Sequence, residues 1–401
     1  MAYLKDLIEK PITGEWGTEG EETNILRTTN FTNDGVLDLT NVVKRVISKK
    51  KIEQKKLLKG DIIIEKSGGG PKQPVGRVVF YEEEGVYLCN NFTSILRPKK
   101  DKVEPKYLHY LLYGSHRYGI TGMFQNKTTG IINLQLTRYI ENLKIPLPSI
   151  KKQKHITGIL DDAATLRDKT TQLLNEYDLL AQSIFLDMFG DPVVNPKSWK
   201  VHKLKELSTK IGSGNTPKGG SKVYVKKGIT FFRSQNVWRN NLLMNDIAFI
   251  DKATHNGMKK SSLKKGDILM TKTGRVNTEN SSLGRAAMYQ GEDEKANLNG
   301  HVYLIRLKKE VINEYVLFIL TTNQYREYIR RVCVGGIDKR QLNKNHLEEF
   351  PIIYPPVELQ NQFAEKLALI DQQKELAKQE LKESKDLFNC LLQKAFKGEL
   401  V

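Results

Sequence analysis

The sequence predicts an α+β protein with an internal pseudo-two-fold repeat: two β-rich domains in tandem, each followed by one of two long helices. Three observations carry this expectation. The chain repeats itself in unbroken order across nearly 200 residues. Each copy begins with short β-prone runs broken by Gly and Asn. Each ends in a helical stripe whose central part holds neither Gly nor Pro. At 401 residues the chain is also too long for one ordinary core.

The repeat reads as follows. Asn24–Phe31 lines up with Thr230–Val237, keeping Arg27 with Arg233 and Asn30 with Asn236. KGDIII at Lys59–Ile64 returns as KGDILM at Lys265–Met270. Next come Lys66-Ser67-Gly68 with Lys272-Thr273-Gly274, Gly76-Arg77 with Gly284-Arg285, and Gln135-Leu136 with Gln341-Leu342. Prolines 146 and 148, and again 355 and 356, open the helical segments. In the first of these, Ile156, Leu160, Ala163, Arg167, Thr170, Leu174, Tyr177, Ala181, Ile184 and Met188 recur at spacings of four and three, which is a coiled-coil seam. Phe363, Leu367, Ile370, Lys374, Ala377, Leu381, Ser384, Phe388, Leu391 and Ala395 are their counterparts. Four segments follow: a domain over 1–149, a helix over 150–190, a second domain over 191–356 and a helix over 357–401. The first helix would run roughly 58 Å at 1.5 Å per residue. It also carries a second apolar row, Ile159, Leu166, Leu173 and Leu180, wider than one partner helix needs and so a candidate protein-docking face.

The formal net charge is +18, which implies a polyanionic partner. Residues 1–149 hold 23 basic and 17 acidic side chains, and residues 191–356 hold 29 and 15. The two helical segments are each within one charge of neutral. Ligand contact therefore belongs to the β-rich domains, and the second should grip a polyanion harder. No apolar run reaches membrane-spanning length and the first residues are no signal peptide, so a soluble cytoplasmic protein is expected. Three scattered cysteines fit a reducing compartment.

Catalytic signatures are missing. There is no CxxC, HExxH, GxSxG or GxGxxG, and the stretch from Gly214 to Ser221 has Gly220 where a phosphate-binding loop needs lysine. Asp61, Glu65 and Lys66 resemble a nuclease cluster, yet the second copy replaces Glu65 by Thr271. No enzyme, metal site or cofactor is expected of this chain. Side chains suited to bases and phosphates gather instead around the KGDI strands. In the first domain they are Arg27, Asn30, Lys66, Ser67, Lys72, Gln73 and Arg77. In the second they are Arg233, Gln235, Asn236, Trp238, Arg239, Lys272, Thr273, Arg275, Asn277 and Arg285, with Asn280 beside them. Residues kept in both copies should serve framework or phosphate contact, and those that differ should read sequence. On these residues alone, a free-standing DNA or RNA scaffold stays open.

The KGDI-x-x-x-K-[ST]-G motif, the proline helix entries, MFGDP at Met188–Pro192 and AFKGEL at Ala395–Leu400 together resemble the specificity subunit of type I restriction-modification systems. The resemblance implies two target-recognition domains, each reading half of a bipartite double-stranded DNA site, with the helices paired as an antiparallel coiled coil. It implies two methyltransferase subunits bringing S-adenosylmethionine, with restriction and translocase subunits as further partners. One departure concerns the lead-in Ser198-Trp199-Lys200-Val201, which has no counterpart before Leu4, so the first domain is expected to lack or borrow an edge.

Overall fold

A computed structural model describes residues 1–70, 73–128, 131–275, 278, 280–336 and 338–400, the side chains of 127 and 128 excepted. The chain forms two compact units, Met1–Leu173 with Ala377–Val401, and Leu174–Leu376.

In unit 1, a four-stranded antiparallel sheet runs in the order Ile12–Thr13, Thr93–Leu96, Ile62–Glu65, Val78–Phe80. The second sheet places Thr18–Leu26 between Val43–Val46 and, in parallel, Tyr87–Cys89. The apolar run at Ile62–Ile64 is buried on both faces. Ile63, Val79 and Ile95 pack with Leu26 and Cys89 of the second sheet, while Ile62, Ile64, Val78 and Leu96 join the helix Pro105–Arg117. That two-sided burial is why the strand is continuously apolar instead of alternating.

Unit 2 repeats the plan, with a fourth strand in its second sheet. Its first sheet runs Ser208–Ser213, Val302–Leu307, Ile268–Thr271, Ala286–Met288. Its second runs Tyr224–Val225, Ala248–Ile250, Ile229–Phe232, Ala296–Leu298, the last pair again parallel. Close backbone approach is duplicated as well. A Cβ on Gly14 would fall 2.0 Å from the Asn90 carbonyl oxygen, and one on Gly214 2.2 Å from that of Asn299. Gly214 is thus a packing glycine, not part of a phosphate loop.

The long helices are Ile150–Phe189 and Val357–Lys397. A buried glutamine ties each to its proline turn: Gln153 Nε2 donates to Pro148 O, and Gln360 Nε2 to Pro355 O, both at 2.8 Å. In unit 1 Arg167 lies 5.0 Å over the Phe388 ring, and Pro146 meets Gly398. In unit 2 Phe185 and Phe189 meet Phe363, and Lys374 pairs with Asp178. Both sets of contacts make the pair antiparallel. The compact units do not follow the four segments read from the sequence, because each takes half of each helix. Phe388, Leu392 and Ala395 belong to the core of unit 1, and Phe185, Phe189 and Phe363 to that of unit 2. In the last turns Phe185 and Phe189 are buried while Ile184 and Met188 are only partly so, the drift of a 3.6-residue helix off a 3.5-residue seam.

The expected missing edge of domain 1 is corrected. Ala2–Tyr3 pairs with Lys144–Ile145 as Val201–Lys203 pairs with Pro351–Ile353, so two residues before Leu4 suffice. Among the described residues, no helix is long and apolar enough to cross a membrane.

Candidate nucleic-acid interface

The acids that resembled a nuclease are held by arginines. Asp61 takes two hydrogen bonds from Arg97, both 2.8 Å, and Asp267 takes two from Arg306 at 2.8 and 2.7 Å. Each also accepts a backbone N–H, from Leu58 and Lys264. Glu65 is enclosed and bound in two places by Arg77, at 2.9 and 3.0 Å. These carboxylates brace strands.

Several residues kept in both copies take up framework positions, one of the two roles expected of them. Asn30 and Asn236 are buried, each accepting the N–H of its arginine, Arg27 or Arg233, through Oδ1 at 2.9 and 3.0 Å. Their Nδ2 groups donate to Asp38 O and Asn41 O, and to Leu243 O and Asn245 O. Arg77 adds hydrogen bonds to Phe31 O and Thr28 O, both 3.1 Å, so all three of its nitrogens are engaged. Arg27 reaches Asn41 O, and Arg233 pairs with Asp246. Lys66 reaches Thr13 Oγ1, and Lys272 contacts Ser213 Oγ and lies 4.4 Å over the Tyr303 ring. Burial lowers the pKa of both lysines.

Beside these braces unit 1 carries a polar cleft of about 540 Å³. The Thr28–Asn33 turn, the Gly68–Gly70 run and Gln73 line it, with the Glu65–Arg77 pair at its floor. Gln73 is exposed and Ser67 half-buried, its hydroxyl bonded to Asn133. Lys72 and Asn277 lie outside the described residues.

Unit 2 presents a different surface. Thr271 stands where unit 1 has Glu65, so among the described residues no carboxylate pairs with Arg285. It stacks instead on Trp238 at 3.6 Å and donates to the carbonyls of Ser281 and Asn280. Gln235 is exposed and bonded to Asp246, and Arg239 and Arg275 are exposed. Thr273 and Arg275 lie on a strand paired with Lys339–Gln341. The sequence reading missed Arg326 and Arg330, on the helix Asn323–Val332, and Arg340, which donates to Arg330 O at 2.9 Å. Arg326 is only 5% exposed, and burial, then Arg239, Arg330 and Arg285, lower its pKa to about 10. Two arginines four apart on one helix repel, which was a legible signal.

The second apolar row of the first long helix is partly open: Leu166 and Leu180 are 51% and 46% exposed, and Ile159 and Leu173 are half-buried.

Comparison with known proteins gives consistent matches. The family described as Type I restriction modification DNA specificity domain matches residues 4–176 and again 196–385. The MjaX type I restriction enzyme specificity subunit of Methanocaldococcus jannaschii is 25% identical over 381 residues, covering 90% of this chain and 84% of its own. The MjaVIII specificity subunit of the same organism is 26% identical over 284 residues, covering 67% of this chain and 65% of its own. The fold is shared with a chain solved in work on complex assembly and conformational transition of the type I restriction-modification system. That match has TM-score 0.56 and 16% identity, covering 100% of this chain and 97% of the other. It is also shared with the type I restriction-modification S subunit of M. genitalium, at TM-score 0.52 and 16% identity, covering 98% and 95%.

Proposed function

The chain belongs to the type I restriction-modification DNA specificity family, and from that premise we propose that it is the subunit that reads a bipartite double-stranded DNA target for partner enzymes. One observation carries the two-part reading. The same two-sheet scaffold occurs twice, and the loops on equivalent strands differ in charge and shape, a Gly-lined cleft in one and an arginine-rich surface in the other. Each unit reads one half-site. Exposed residues that differ between the copies, such as Gln73, Gln235, Arg239 and Arg275, supply base and phosphate contacts, while the buried asparagines and Arg77 hold the loops in shape. Affinity comes largely from phosphate neutralisation and falls with salt.

Chemistry lies with the partners. Two methyltransferase subunits bind S-adenosylmethionine and methylate adenine, a base that must leave the stack to be reached. Restriction and translocase subunits complete a cytoplasmic assembly. The exposed row through Leu166 and Leu180 supports methyltransferase docking, since an apolar row on a helix of a folded chain is normally covered.

The test is to express the chain with its methyltransferase and map adenine methylation across the host genome. A two-part motif whose one half changes when residues 191–356 are exchanged for those of a relative is expected. Methylation that ignores exchange of both domains would refute the assignment.

A further inference from the structure

We propose that Arg239, Arg285, Arg326 and Arg330 of unit 2 form an anion site that takes one backbone phosphodiester of duplex DNA, with Arg326 as its base. The proposal rests on the DNA-recognition reading and adds a ligand group and a residue set to it.

Arg326 projects from the middle of the helix Asn323–Val332 and is more than nine-tenths buried. Among the described residues its side chain makes no ion pair and no hydrogen bond, and one terminal guanidinium nitrogen is fully enclosed without a partner. Among the described residues its electrostatic neighbours are Arg239, Arg330 and Arg285, all repulsive, and Glu327, which is attractive. Glu327 is itself bound to Arg330. Ile329, one turn along the helix, packs against Gly284 beside Arg285, and Thr321 Oγ1 bonds Asn240 Oδ1 at 3.1 Å, so helix and loop meet here.

A buried guanidinium with three cationic neighbours is a strained arrangement unless an anion completes it. The residue at the Glu65 position decides the matter, because Thr271 removes the one carboxylate that closes the equivalent arginine in unit 1. A base edge could fill the hydrogen bonds of Arg326 but could not neutralise the cluster. A phosphodiester does both, through charge-assisted paired hydrogen bonds to a planar fork. Such a contact fixes position on the duplex and carries no base preference.

The test uses the full chain with its methyltransferase partner, as wild type, Arg326→Met and Arg326→Lys. Affinity for a duplex carrying the methylated motif, and for an arbitrary duplex, is measured against salt. Arg326→Met should lower the slope of log affinity against log salt by about 0.9, the value of one lost phosphate contact, on both duplexes. The methylated motif should stay the same. Arg326→Lys should keep the slope and bind several-fold more weakly. With DNA absent, inorganic phosphate should raise the melting temperature of wild type above that in chloride of equal ionic strength, and Arg326→Met should not respond. An unchanged slope on both duplexes overturns the site, as does a changed motif. A phosphate response with no change on DNA would make it a free-anion site and overturn the DNA assignment. Loss of motif-directed methylation in wild type would sink the specificity reading instead, while the arbitrary duplex still decides the phosphate contact.

Discussion

The strands Ile62–Glu65 and Ile268–Thr271 occupy the same place in two copies of one fold, and each faces an arginine. In unit 1 the Glu65 N–H donates to Arg77 O at 2.9 Å, and in unit 2 the Thr271 N–H donates to Arg285 O at the same distance. The backbones are thus superposable in their bonding, but the side chains diverge. Arg77 is closed by a carboxylate and two carbonyls. Arg285 lies on an indole beside further arginines. A duplicated scaffold can therefore hold its strand pairing fixed while one buried position decides whether a cation is internally neutralised or left to act outward.

The comparison breaks most sharply under matched substitutions. Arg77→Met strands the buried Glu65 carboxylate and should destabilise unit 1 by about 3–5 kcal/mol. Arg285→Met strands no carboxylate among the described residues and should cost about 1–2 kcal/mol, from the lost ring stacking and the lost hydrogen bonds to the Ser281 and Asn280 carbonyls. Hydrogen exchange of the two central strands reads each unit separately, and equal losses would erase the distinction. A control should show no asymmetry: Asp61→Asn and Asp267→Asn, which disrupt equivalent buried pairs, should each cost about 3 kcal/mol.

Acid sensitivity should differ next. His109 sits among Phe80, Tyr110 and Tyr113, and burial pushes its pKa down to about 3. The unfolded chain binds that proton near pH 6.5 and the folded chain does not, so stability is full above 6.5 and is lost as pH falls toward 3. The loss is about 1.4 kcal/mol per pH unit. His116, also lowered by burial, adds in the same direction in unit 1, and His255 in unit 2. Replacing His109 by leucine, the residue at the corresponding position 317, should flatten the unit 1 profile in acid denaturation. An unaltered profile would assign the sensitivity elsewhere.

The smallest effect concerns Lys66 and Lys272, both lowered by burial. The unfolded state holds those protons to higher pH, so both units should gain a little stability as pH rises through the lowered values toward 10.5. Lys66→Met and Lys272→Met should remove that gain equally, to within about 0.5 kcal/mol in denaturant titrations.

The duplication made most of the architecture legible, because aligned KGDI strands and proline turns carry topology with them. The interface was less legible. Asn30 and Arg77 have the composition of base readers, but a loop asparagine that satisfies three backbone groups looks the same in sequence as one facing solvent. Arg326 was overlooked because it lies on a helix outside the loops that drew attention. The first edge strand was underestimated since Ala2–Tyr3 is too short to show a period.

Phe388, Leu392 and Ala395 complete a core whose other fully buried members all lie before residue 164. During synthesis at 5–20 residues per second, the first 173 residues would wait roughly 10–40 seconds for that closing segment. Unit 2, contiguous from 174 to 376, meets no such delay. The half made first is finished last, and its unfilled groove is what a nascent chain would expose to chaperones while it waits.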